Sequence, residues 1–172
     1  MLVVLSDTHA TDDPSLVGAA VDAVDDADLV LHAGDFTTEA VLDGFYDVVD
    51  DIRAVHGNAD DPAVTERLPT ATTLEYGGVR IAMTHRRRGG ATGLAMFGRE
   101  RGADLVVSGH THRPAVDEDG TVTLLNPGSH AEPRGARQSF AILEPTDAGL
   151  AGRLQTVGGE VFARFDVENE SP

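Results

Sequence analysis

The chain has 172 residues and a formal net charge of −16, and all 13 of its basic residues are arginine. With 41% hydrophobic residues it has the composition of a folded domain with a sizeable core, and a surface this acidic argues against general nucleic-acid or membrane-surface binding. The chain has no cysteine, which excludes disulfides, thiolate ligands and a cysteine nucleophile and is compatible with a cytoplasmic location. The charge is also that expected of a halophilic protein, because at about 1 M salt the screening length falls to about 3 Å. Salt adaptation requires the unfolding midpoint to rise from low to molar salt; an unchanged midpoint removes it.

Leu2-Val3-Val4-Leu5 reads as a short buried strand. It is too brief for a signal sequence, and no stretch is long enough to span a bilayer. Asp7-Thr8-His9 stands at its end. Asp13 and Pro14 predict a helix start, as N-cap and first helical residue, with Val17, Ala20, Val21 and Val24 turned inward. Leu29-Val30-Leu31 is a second strand that leads into Gly34-Asp35, with His32 as an interior or rim histidine. A helix over 38–49 buries Val41, Leu42, Phe45 and Val48. The third strand, 52–56, ends in Gly57-Asn58-Ala59-Asp60. Asn58 is a neutral oxygen ligand or a turn residue. Asp60 or Asp61, just before Pro62, caps a short helix over 62–68.

Gly77-Gly78 joins strands 72–76 and 79–83 as a hairpin. The second strand delivers His85. Arg86-Arg87-Arg88 follow, as a solvated loop or a local anion-attracting patch. A helix carrying Leu94 and Phe97 ends at Gly102. Leu105-Val106-Val107-Ser108 is another buried strand, closed by Gly109-His110-Thr111-His112. In extended chain residues i and i+2 share a face, so both imidazoles can enter one site, and neutral imidazole is the commonest protein metal ligand. Strands over 114–117, 121–125, 139–143, 150–157 and 161–167 then follow with no helix between them, which predicts antiparallel sheet. We read a single domain over 1–167 and a frayed tail over 168–172.

Asp7, His9, Asp35, Asn58, His85, His110 and His112 thus each follow a strand. Open α/β sheets bind ligands beyond the carboxyl ends of their strands, so these residues are expected to line one pocket. Seven ligands are too many for one tetrahedral ion with an open position. They suit two ions about 3.5–4 Å apart that share a carboxylate. A mixed nitrogen and oxygen set without thiolates favours Mn, Fe, Zn, Co or Ni over Ca or Mg. Two divalent transition-metal ions, manganese first, are the expected cofactors.

Asp-x-His, Gly-Asp, Gly-Asn-x-Asp, His and Gly-His-x-His, in that order, resemble the calcineurin-like metallophosphoesterase superfamily over nearly the whole chain. The short length, Asn126-Pro127-Gly128-Ser129 and Pro133-Arg134 are similar to its small single-domain branch, the YfcE-type phosphodiesterases. The resemblance implies an α/β sandwich in which two mixed β-sheets pack face to face, flanked by helices. It implies a first metal site of Asp7, His9, Asp35 and His112 and a second of Asp35, Asn58, His85 and His110, with Asp35 bridging. Asp35, Asn58 and His110 would be the catalytic residues. The implied reaction is hydrolysis of a small phosphodiester by in-line attack of a hydroxide bridging both ions.

A non-catalytic protein-interaction scaffold, as the retromer subunit of this fold is, stands as the alternative, and a storage or structural metal site as a third. The complete ligand set favours the enzyme, because a scaffold has no physical need of it. A homodimer is compatible with the resemblance. Two departures matter. Ala59 stands where many members have a histidine that assists the leaving group, which leaves protonation of a poor leaving group in doubt; His56 and His130 are nearby histidines in sequence. Arg86 stands where glycine is usual, and can narrow the pocket or hold a phosphate.

Overall fold

The first strand, β1 (Leu2–Leu5), is buried along its whole length because its sheet is covered on both faces. Leu2 and Val4 join one core, and Val3 and Leu5 another, as side chains of period two must. The structure, a computed structural model, describes residues 1–118 and 120–169. In chain order the remaining elements are α1 (Ala19–Asp25), β2 (Leu29–His32), α2 (Glu39–Val48), β3 (Ile52–Ala54), α3 (Pro62–Arg67), β4 (Ala71–Tyr76), β5 (Val79–Thr84) and α4 (Gly90–Arg99). They continue as β6 (Leu105–Val107), β7 (Ala115–Asp117), β8 (Thr123–Asn126), β9 (Ser139–Thr146), β10 (Gly149–Thr156) and β11 (Val161–Glu168).

Two mixed sheets result, in the orders β11-β10-β9-β1-β2-β3 and β4-β5-β6-β8-β7. Leu2, Val4, Leu31 and Leu143 of the first meet Ile81, Met83, Leu105 and Leu125 of the second in a shared core. The outer face of the six-stranded sheet packs Val3, Leu5, Val30 and Phe140 against Val24, Leu42, Phe45 and Val64 of the first three helices. Outside the other sheet, Ala82 and Val106 pack against Phe97 of α4. The expected sandwich of two mixed sheets flanked by helices is therefore the observed architecture.

Several local expectations are corrected. Asp13-Pro14 does not start a helix. Asp13 Oδ1 instead accepts the Ser15 amide at 2.7 Å, Ser15 and Gly18 take positive φ, and α1 begins only at Ala19. Val17 and Val21 are consequently exposed, and Ala20, Ala23 and Val24 form the buried face. In α2, Val48 is exposed and Val49, just past the helix, is buried. The second half is not wholly antiparallel. β7 lies at the sheet edge, and its return strand β8 inserts between β7 and β6, so β8 runs parallel to β6. The C-terminal strand includes Glu168, and the Asn169 amide donates to the Ala148 carbonyl, so order extends two residues into the stretch expected to fray. The rest of that stretch, 170–172, lies outside the described residues. No helix among the described residues is long and apolar enough to cross a membrane.

Candidate metal centre

β1, β2 and β3 run parallel to one another, as do β5 and β6, so the carboxyl ends of five strands from two sheets deliver their loops to one rim. Backbone bonds tie those loops together. The Asp7 amide donates to Gly34 O (2.9 Å), His9 to Asp35 O (3.0 Å) and Gly109 to His85 O (3.0 Å). Two glycines make the approach possible. A Cβ at Gly57 would clash with Asp35 Oδ1, and one at Gly109 with Ser6 Oγ and Asp7 Oδ2.

The side chains fall into two groups, Asp7 with His9 and His112, and Asp35 with His85 and His110. Within each group one ligand atom per residue lies within 4.8 Å of the others. His112 Nε2 is 3.4 Å from Asp7 Oδ1, and the His9 and His112 rings stack at 4.8 Å. Asp35 Oδ2 stands between the groups, 3.2 Å from His9 Nε2 and 3.2 Å from His85 Nε2. Asn58 is exposed and lines a smaller cleft with His85 and Arg86, at the open edge of the second group.

The expectation that His110 and His112 share a face as residues of extended chain is corrected. Both have positive φ, 73° and 57°, and each joins a different group. Asp7, His9 and Asp35 share this left-handed backbone, so among the described residues five of the eight non-glycine residues with positive φ are expected ligands. Such conformations cost on the order of 1–3 kcal/mol each and persist where surrounding structure over-determines them, often at functional sites.

The surroundings do over-determine them. Asp7 accepts from Ser6 Oγ (2.7 Å) and from the His110 amide (2.9 Å), and its carbonyl accepts from Ser129 Oγ (2.7 Å). The Ala59 amide donates to Asp35 Oδ1 at 2.7 Å. Asp60, read from sequence as a possible helix cap, instead accepts the amides of Gly57 (2.7 Å), Thr37 (2.7 Å) and Asp35 (3.1 Å). It holds together the two loops that carry Asp35 and Asn58. Asp61 occupies the N-cap position of α3 without a side-chain cap bond. The only signal for Asp60 in the sequence was its place in Gly-Asn-x-Asp.

The imidazoles are oriented for cation binding. His85 Nδ1 donates to Ala33 O at 2.7 Å and His112 Nδ1 to Glu132 O, so in each neutral ring the lone pair sits on Nε2. Those two Nε2 atoms and that of His9 are buried without a hydrogen-bond partner. A lone pair facing a carboxylate oxygen at 3.2 Å needs a positive charge between them, either a proton or a metal ion. The nitrogen and oxygen donors, free of sulfur, fit a divalent transition metal in each group. Burial raises the Asp7 carboxyl above its usual range, against the pull of His85, Ser6 and His112. Burial acts the same way on Asp35, but His85 and His9 outweigh it and hold that carboxyl well below the ordinary value.

The remaining histidines differ. His32 accepts the Gly34 amide at Nδ1 (3.2 Å), donates from Nε2 to Thr8 Oγ1 (2.8 Å) and stacks on Phe36, and burial holds its pKa well below 6.5. His130 is buried against Phe45 and donates from Nε2 to Pro14 O. His56 lines the smaller cleft with Asn58.

The chain as a whole is similar to known proteins. Residues 1–148 match the model of the calcineurin-like phosphoesterase superfamily domain. A probable metallophosphoesterase of Methanocaldococcus jannaschii is 36% identical over 152 residues, covering 86% of this chain and 77% of that protein. Zinc-complexed Vps29 of Entamoeba histolytica superposes with a TM-score of 0.76 at 24% identity, over 97% of this chain and 99% of that one. A structure described as that of a novel archaeal phosphodiesterase superposes with a TM-score of 0.72 at 21% identity, over 90% and 99%. With the family model matching most of its length and the expected histidines and carboxylates gathered at one rim, the chain belongs to the calcineurin-like phosphoesterase superfamily.

Proposed function

We propose that the protein is a dinuclear-metal phosphodiesterase acting on small phosphodiesters. The observation that carries this reading is the set of three buried, partnerless Nε2 atoms aimed at two carboxylates. Two divalent ions, when bound, would supply a water nucleophilic at neutral pH and neutralise charge on the phosphoryl oxygens. Asp7, His9 and His112 would hold one ion and His85, His110 and Asn58 the other, with Asp35 shared. The protein's own part is orientation. Asp60 and the Ala59 amide fix Asp35, and main-chain carbonyls fix the His85 and His112 rings. The exposed side of His110 and Asn58 leaves the phosphate an approach. Ala59 has no proton to give a leaving group, so diesters with good leaving groups are expected to turn over faster than those that release an alcohol.

The test is hydrolysis of bis-p-nitrophenyl phosphate beside p-nitrophenyl phosphate in molar salt. Chelated protein receives Mn, Ni, Co, Zn or Mg one at a time. Metal-dependent turnover of the diester, reduced at least about a hundredfold in Asp35→Asn together with loss of bound metal, is the expected result. Folded protein inert with every metal would favour a non-catalytic scaffold, the reading to which the Vps29 likeness lends weight.

A further inference from the structure

A cleft of about 400 Å³ opens from His85 and His110. Ala91 and Leu94 of α4, Ala115 of β7 and Leu124 of β8 give it an apolar lining. Arg86, Arg87 and Arg113 line it too, and among the described residues Asp117 is the only carboxylate in the lining. Acidic residues outnumber basic ones 29 to 13, and seven arginines, among them Arg53, Arg67 and Arg153, have a carboxylate within 4.0 Å. Among the described residues six arginines have none, Arg86, Arg87, Arg88, Arg99, Arg113 and Arg164, and three of the six line this cleft. Arg87 lies over the Phe97 ring at 4.2 Å, while Arg86 and Arg113 have neither a carboxylate nor a ring.

Two uncommitted guanidiniums beside an apolar cleft are a specific chemical combination. A guanidinium grips a phosphate with two parallel N–H bonds and stacks on flat rings. The scissile phosphate would be met at the two ligand groups, so it does not account for Arg86 and Arg113. At about 400 Å³ the cleft lies near the lower end of small-ligand sites, which run from about 300 to 1,000 Å³. That suits one nucleotide-sized arm and excludes a duplex. We propose that this cleft is a specificity pocket for one ester arm of the substrate, a flat ring on a sugar that carries a second phosphate, as in a 5′-phosphorylated dinucleotide. This rests on the phosphodiesterase reading above.

The experiment compares diadenylate with and without a 5′-phosphate. Each, made with a non-hydrolysable methylene-bridged linkage, is titrated into zinc-loaded protein at the lowest salt that keeps it folded, followed by calorimetry and by the methyl resonances of Ala91, Leu94 and Leu124. The phosphorylated form is expected to bind at least about tenfold tighter and to shift those methyls. In the double variant Arg86→Ala, Arg113→Ala the preference should fall to about one while the unphosphorylated form still binds. Both arginines are exposed, so the fold should survive, and the corresponding Arg→Lys pair should keep part of the preference. Equal binding of both dinucleotides, an undiminished preference in the double variant, or shifts confined elsewhere would overturn the assignment. Metal-dependent turnover of bis-p-nitrophenyl phosphate without any preference would remove the pocket and leave the hydrolase. A full preference in protein inert with every metal would keep the pocket and remove the hydrolase.

Discussion

The two ligand groups are built differently. Asp7 and His112 are closed off, with 0% and 1% exposure, His9 is 12% exposed, and Asp7 is clamped by a hydroxyl and a main-chain amide. The group around Asp35 is buried on one side only. His85 is 3% exposed, but His110 and Asn58 face solvent beside the arginine-lined cleft. A closed set of donors is suited to retaining an ion, and an open set to admitting substrate. The difference follows from connectivity. The closed group draws on β1 and the loop after His112, which Glu132 and Ser129 cover from behind, whereas the open group lies where the β3 and β5 loops part.

The sharpest way to break this contrast is to remove one imidazole from each group. His112→Ala should lose about one ion per chain on dialysis and about a hundredfold or more in turnover, beyond rescue by added metal. His110→Ala should also lose turnover, but excess metal should restore its ion content. Metal analysis after dialysis decides, and equal, unrescued loss in both would erase the distinction. Asp60→Asn tests the loop clamp behind Asp35. It touches no expected ion, yet it should weaken metal binding by about 10- to 100-fold. Unchanged affinity would leave Asp60 with a folding role alone.

The smallest effect is on pH. Burial opposes a proton on His85, but Asp35 and Asp7 more than offset it, so the metal-free imidazole has a pKa raised above 6.5. An ion entering the open group must displace that proton. Its affinity should therefore fall about tenfold for each pH unit below the raised value. The same sign governs stability. In metal-free protein the contribution of His85 is fully present below pH 6.5 and fades as pH rises through the raised value. Acidification from pH 8 to 6 should empty the open group first, and simultaneous loss from both would contradict the contrast.

The strand ends were legible because a short β-branched run followed by a polar residue is a local pattern. β1, β2, β5 and β6 were found on that signal, and with them Asp7, Asp35, His85 and His110. The hairpin at Gly77-Gly78 was equally local, since both glycines take positive φ. The start of α1 was not legible. Asp13-Pro14 carries a sound capping signal, but Pro14 O is engaged by His130, 116 residues away, and the segment follows that contact. The face of α2 was off by one valine, because helical periodicity does not say where the chain leaves the helix.

By itself the sequence determined which residue types stand after which strands and therefore the chemistry available, namely carboxylates, imidazoles and an amide without thiolates. Tertiary structure alone decided how the backbone aims them. His110 and His112 are two residues apart in the chain yet join different groups, because left-handed φ at both turns the backbone between them. That conformation is held by Asp7, Asn126 and Glu132 from other parts of the fold, through the His110 amide, the Gly109 carbonyl and the His112 ring. Local pattern sets the type of each side chain, but a strained backbone exists only where distant groups hold it. The direction in which each ligand points was therefore settled by packing.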